Sequence, residues 1–124
     1  MKVAKDFLQE NQPKKELTIE RIAEILKTKD ELTPQEVMKF REFLAAEYFY
    51  LGMELAMILI KKPEVWKNIR KSVKSDRKAD MEYDATEWGK KEIVLKMKLK
   101  GIEKMLSALR STLEIQQGEA MNLY

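Results

Sequence analysis

The chain has 124 residues, carries 24 Lys and Arg against 21 Asp and Glu for a formal charge of +3, and contains neither cysteine nor histidine. That length fits one domain, and the double absence excludes disulfide frameworks, thiolate or imidazole metal sites, cysteine and histidine nucleophiles and Ser-His-Asp triads. Four glycines, three prolines and a 36% charged composition rich in Leu, Ile and Met point to an all-α protein that binds rather than reacts.

Taken in chain order, residues 2–12 form a short amphipathic stretch with Val3, Phe7 and Leu8, ended near Pro13. Its charges, Lys2, Lys5, Asp6 and Glu10, leave no apolar run, so no export signal is read there and a cytoplasmic location is expected. Residues 18–29 follow as a helix with Ile19, Ile22, Ala23 and Leu26 on one face and Thr18 as N-cap.

The strongest local signal is Leu32-Thr33-Pro34-Gln35-Glu36-Val37. Thr33 caps, Pro34 suits the first helical position, Glu36 reaches back to the Thr33 amide, and Leu32 and Val37 stand at the staple positions. The helix so started is expected to reach about Ile60, roughly 40 Å at 1.5 Å per residue. Phe40, Phe43, Leu44, Tyr48, Leu51, Leu55 and Ile58 make its main stripe, which Met53, Ala56, Met57 and Ile60 widen, so it is expected to be the most enclosed helix. Its apolar span, residues 43–60, holds Glu47 and Glu54, each costing about 2.5–3.5 kcal/mol at a bilayer centre. A core helix is therefore expected, not a membrane span, with the two carboxylates in ion pairs or at a subunit boundary. Gly52 is expected to admit a close neighbouring helix.

Pro63 is expected to break the chain, with a short helix over residues 64–73 in which Val65, Ile69 and Val73 share a face beside Trp66. From about residue 80 to 117 nothing stops a long C-terminal helix. In it Leu95, Leu99, Ile102, Leu106, Leu109 and Leu113 recur at alternating steps of four and three, a heptad seam that extends back through Glu92 to Trp88. Such a helix would be roughly 57 Å long, against about 35 Å for a compact globule of this chain length, so it either folds back at Gly89 or packs on a copy of itself, the second being the expected solution. The expected architecture is a helical hairpin or bundle that oligomerises through this seam, with Trp88 and the six aliphatic residues as the interface. The single domain then consists of N-terminal helices and core (1–60), a basic segment (61–79) and the long helix (80–124).

The charge is segregated. Residues 1–60 sum to −2, residues 61–78 to +6, the island Asp80, Glu82, Asp84 and Glu87 to −4, and residues 90–110 to +5. Lys67, Arg70, Lys71, Lys74, Arg77 and Lys78 recur every three or four residues and are expected to form one helical stripe. Like charges at that spacing repel, and a polyanion relieves the repulsion. Six phosphate contacts would give a log–log salt slope of about −4 on a single strand. Lys90, Lys91, Lys96, Lys98, Lys100 and Lys104 extend the basic surface; Trp66 is expected first as a packing anchor, with a stacking face for a base as its second reading. A solvated or intersubunit face is the competing reading of the same lysines.

No catalytic residue, cofactor site or metal site is expected. Glu47 and Glu54 lack the histidines of a bundle di-metal site, and no glycine-rich phosphate loop is present.

The segment Lys78-Ala79-Asp80-Met81-Glu82-Tyr83-Asp84-Ala85-Thr86-Glu87 leads into the long basic helix. There Leu99-Lys100-Gly101-Ile102-Glu103-Lys104-Met105-Leu106-Ser107-Ala108-Leu109-Arg110 is followed by Glu119-Ala120-Met121-Asn122. Over residues 75–122 this resembles the recombination mediators of tailed phages (UvsY-like), small basic helical proteins with a long C-terminal helix. The resemblance implies a ring-forming accessory protein that binds single-stranded DNA and helps load a recombinase onto strands covered by single-strand-binding protein. Two alternatives stay open from sequence: a helical protein-interaction module (phage structural, chaperone or inhibitor protein), and a small RNA-binding subunit of CRISPR type.

Overall fold

A computed structural model of the chain describes residues 17–28 and 31–122, which form four α-helices and no strand. The amphipathic stretch expected over residues 2–12 lies outside the described residues. The chain divides into two compact units, residues 1–32 and 33–124, so the boundary falls inside the segment expected to be one N-terminal core.

In the first unit, α1 (Ile19–Thr28) begins where the Thr18 hydroxyl accepts the Arg21 amide at 3.0 Å, the expected cap. Ile22 is buried, and Ile19, Ile25 and Leu26 are half-buried.

In the second unit, α2 (Pro34–Arg70) starts on the capping box read from sequence. The Glu36 amide donates to Thr33 Oγ1 and the Thr33 amide to Glu36 Oε1, both at 3.1 Å. Two donors that a helix start leaves open are thereby met. The helix does not stop at Pro63. It continues to Arg70, about 55 Å in all, so residues 64–70 extend α2 instead of forming a separate helix. The proline removes one amide and leaves the Leu59 carbonyl without its donor. The proline itself is exposed, on the solvent side of the helix. Beyond the proline, Val65, Trp66 and Ile69 are half-buried and hold the final turns down.

Helix α3 (Asp76–Ala85) is capped by Ser75, whose hydroxyl accepts the Lys78 amide at 3.2 Å. The turn before it is fastened by Arg70. Its Nε donates to Asp76 Oδ1 and its Nη1 to the Val73 carbonyl, both at 2.8 Å.

Thr86 then ends α3 and starts α4 (Glu87–Asn122). Its amide and hydroxyl both donate to the Tyr83 carbonyl, at 2.9 and 2.6 Å, and the same hydroxyl accepts the Gly89 amide at 3.1 Å. The uninterrupted helix expected from residue 80 is thus two helices meeting at a capped corner. The chain comes closest to itself at this corner. A Cβ on Gly89 would overlap the Tyr83 carbonyl oxygen and lie 2.6 Å from the Asp84 Cα, whereas one on Gly52 would meet nothing within 4 Å. Gly89, not Gly52, is the close-approach glycine.

Helices α2 and α4 run antiparallel and pack along their lengths: Lys62 meets Glu92 near one end, and Tyr48 meets Glu103 farther along. Leu95, Ile102 and Leu109 of the heptad seam are buried, and Leu99, Leu106 and Leu113 are half-buried. The seam expected to join two copies is therefore filled within one chain. Trp88, at the seam's fraying start, is 42% exposed. The long C-terminal helix needs no second copy to cover it, because α2 matches its length.

Enclosure of α2 is also corrected. Phe40, Leu44 and Ile58 face inward, but Phe49, Tyr50, Met53, Met57 and Ile60 are exposed on the other side. By length and composition α2 could cross a membrane, and only 11% of its apolar window is buried within the chain.

Candidate nucleic-acid interface

The six basic residues expected on one helical stripe lie around a corner instead. Lys67 and Arg70 close α2, Lys71 and Lys74 occupy the turn, and Arg77 and Lys78 open α3. The stripe is broken because Ser75 caps a new helix and Arg70 turns back to hold the loop carbonyl and the Asp76 carboxylate. Arg70 is thereby removed from the set free to meet a phosphate. Lys67, Lys71, Lys74, Arg77 and Lys78 are all exposed, and none makes an ion pair with a described residue. Of the nearby acids, Asp76 is paired with Arg70, Asp80 accepts the indole N–H of Trp66 at 2.8 Å and keeps its charge, and Glu82 and Asp84 are exposed farther along α3. The corner carries a net positive charge next to this acidic stretch.

Trp66 is half-buried with its Nε1–H spent on Asp80, which makes it a brace between α2 and α3 and not an open stacking platform. In the second basic block the six lysines divide. Lys90 lies 3.9 Å from Glu87, Lys91 pairs with Glu54 at 2.7 Å, and Lys96 pairs with Glu92 at 2.9 Å. Lys98, Lys100 and Lys104 are exposed and make no ion pair with a described residue. Of the two carboxylates in the apolar span, Glu54 is in an ion pair as expected.

One charged residue was not singled out in the sequence. Glu92, only 5% exposed, accepts from Lys96 at 2.9 Å, from Lys62 at 3.3 Å and from the buried Tyr83 hydroxyl at 3.1 Å. Lys62 also sits 4.8 Å over the Tyr83 ring. The knot ties α2, α3 and α4 together beside the basic corner. Its signal in the sequence is a carboxylate at a core position of a leucine seam, where an unpaired charge would be costly.

Burial alone would raise the Glu92 pKa, but hydrogen bonds from Lys96, Tyr83 and Lys62 outweigh it, and the carboxyl titrates below its ordinary value. Tyr83 is pushed up to about 12 by burial first and by its bond to Glu92 second. The signs are opposite in pH. Glu92 contributes stability above the ordinary carboxylate range that is lost as pH falls through its lowered value, and Tyr83 contributes stability that is lost as pH rises from 10 towards 12. In urea unfolding at stepped pH, Glu92→Gln is expected to flatten the acid limb. Tyr83→Phe is expected to flatten the alkaline one. A wild-type acid limb retained in Glu92→Gln would assign it to other carboxylates.

Among the described residues no group of three or more acidic side chains is placed to hold a metal ion. The open groove between α2 and α4, about 620 Å³, is lined by Arg41, Glu42, Glu103 and Arg110 of mixed sign. Comparison with protein-family models, with curated proteins and with solved structures gives no match.

Proposed function

We propose that the protein is a self-associating, non-enzymatic binder of single-stranded nucleic acid that serves as a recombination or replication accessory of mediator type. The observation that carries the binding is the α2–α3 corner, where five exposed cations make no ion pair with a described residue. Phosphates condense on such a patch because binding releases their counterions. Lys98, Lys100 and Lys104 on α4 offer further backbone contacts. The resemblance over residues 75–122 supplies the mediator role, with a recombinase or a single-strand-binding protein as its protein partner.

Reversal of Lys71, Lys74 and Arg77 to Glu tests the reading. These side chains are exposed, so the variant is expected to keep its helical content and melting temperature. At low salt its affinity for a short single-stranded oligonucleotide, read by fluorescence anisotropy, is expected to fall at least about 100-fold. Unchanged affinity in a folded variant would refute the corner as the site.

A further inference from the structure

Helix α2 carries a second heptad line, turned away from α4 except at its first member, Glu42, which stands at the rim of the α2–α4 groove. Glu42, Ala46, Phe49, Met53, Ala56, Ile60, Pro63 and Lys67 follow one another at alternating steps of four and three. Between its two charged ends the line is wholly apolar. Glu47 and Glu54, the charges inside that span, lie off it, and Glu54 reaches across to Lys91 on α4. The line is also open: Phe49 is 63%, Met53 53% and Ile60 77% exposed.

With their neighbour Met57, and taking about 200 Å² for a side chain of this size, the exposed side chains on this side present on the order of 500 Å². Monomeric proteins seldom leave a continuous apolar patch larger than about 300–600 Å². A standard protein interface takes about 800 Å² from each partner.

We propose that this face is covered by the same face of a second copy, with the two α2 helices antiparallel and Met53 of one packed on Ala56 of the other. The charges at the ends of the line select this occupant and orientation. In that register Phe49 meets Ile60 of the second copy, and Glu42 meets its Lys67, at both ends of the interface by the two-fold symmetry. Parallel pairing would set Glu42 against Glu42 and Lys67 against Lys67, like charges at both ends. Large side chains meet small ones at the centre, where Met53 and Ala56 pair twice, as knobs-into-holes packing requires. A lipid surface would gain nothing from the alternation of size or from opposite charges at the two ends. The pairing supplies a surface for the self-association in the proposed function. Because it is read by mass and cross-linking without nucleic acid, its failure is distinguishable from a failure of strand binding.

The absence of cysteine makes the test direct. Phe49→Cys and Ile60→Cys are made separately, mixed and oxidised, and each is also oxidised alone. The mixture is expected to give a disulfide-linked dimer, and either variant alone little of it. Light scattering of the wild type is expected to give at least a dimer at tens of micromolar, and Ile60→Asp to raise the dissociation constant more than about 100-fold while leaving the circular dichroism intact. Three results would overturn the proposal: a monomeric wild type, cross-linking of Phe49→Cys to itself in preference to Ile60→Cys, or an Ile60→Asp variant of unchanged mass. Sedimentation of the protein with neutral phosphatidylcholine vesicles, lost in Ile60→Asp, would assign the face to lipid and overturn it equally.

Discussion

Ile102→Asp is expected to unfold the second unit, not to release folded monomers. Ile102 is fully buried on α4, in the seam closed by α2 within the same chain. Substitution removes a buried aliphatic side chain, which alone costs about 2–5 kcal/mol. It also places a carboxylate in the buried seam, adding several kcal/mol more unless the group takes up a proton. That total rivals the roughly 5–15 kcal/mol that holds an ordinary domain together. Far-UV circular dichroism at neutral pH should show collapse of the helical signal, with loss of a cooperative melt. Met97→Asp, on the opposite side of α4 and 70% exposed, should stay within about 0.5 kcal/mol of wild type. If Ile102→Asp instead retained its helices and only lost mass, the seam would be an intermolecular one.

The second large effect is expected from a single methyl group. Gly89→Ala sets a Cβ against the Tyr83 carbonyl oxygen and 2.6 Å from the Asp84 Cα. Both are backbone atoms, so no side-chain rotation relieves the overlap, and the α3–α4 corner must open. Opening it would strain the Thr86 cap and the Tyr83 hydrogen bond to Glu92. A destabilisation of about 3 kcal/mol is expected, at the upper end for overpacking. Alanine favours a helix over glycine by about 1 kcal/mol, and at Gly52 and Gly101 a Cβ meets nothing within 4 Å. Gly52→Ala and Gly101→Ala should therefore gain up to about 1 kcal/mol each in the same urea titration. A neutral Gly89→Ala would contradict the close approach.

These two sites show what the sequence carries and what it leaves open. The capping box at Thr33 and Glu36 was legible because its donors and acceptors lie within four residues of one another. The seam on α4 was legible as a pattern, since periodicity reports that one face is apolar. Its partner was not, because a heptad serves a neighbour in the same chain as well as one in another. Helix α2 has apolar residues on two opposite faces, and only packing decides which is covered: Phe40, Leu44 and Ile58 are, Phe49, Met53 and Ile60 are not.

Pro63 and Thr86 mislead in opposite directions. A proline that stands exposed on the solvent side can be carried inside a helix, while Thr86 ends one without any proline. The deciding contacts, to the Tyr83 carbonyl and the Gly89 amide, follow from the fold of the corner. The charge blocks were read correctly as composition, yet which cations remain free depended on tertiary pairing. Arg70, Lys91 and Lys96 are committed to Asp76, Glu54 and Glu92. Lys67, Lys71, Lys74, Arg77 and Lys78 are not.

That difference is measurable as a salt slope. With the four corner cations that the α2 pairing leaves free, Lys71, Lys74, Arg77 and Lys78, and about −0.7 per phosphate contact, log affinity for a single-stranded oligonucleotide should fall against log salt with a slope of about −2.8. In the Lys71, Lys74 and Arg77 reversal the slope should collapse towards zero along with the affinity. Absence of binding at about 50 mM salt, or binding indifferent to salt, would contradict the account.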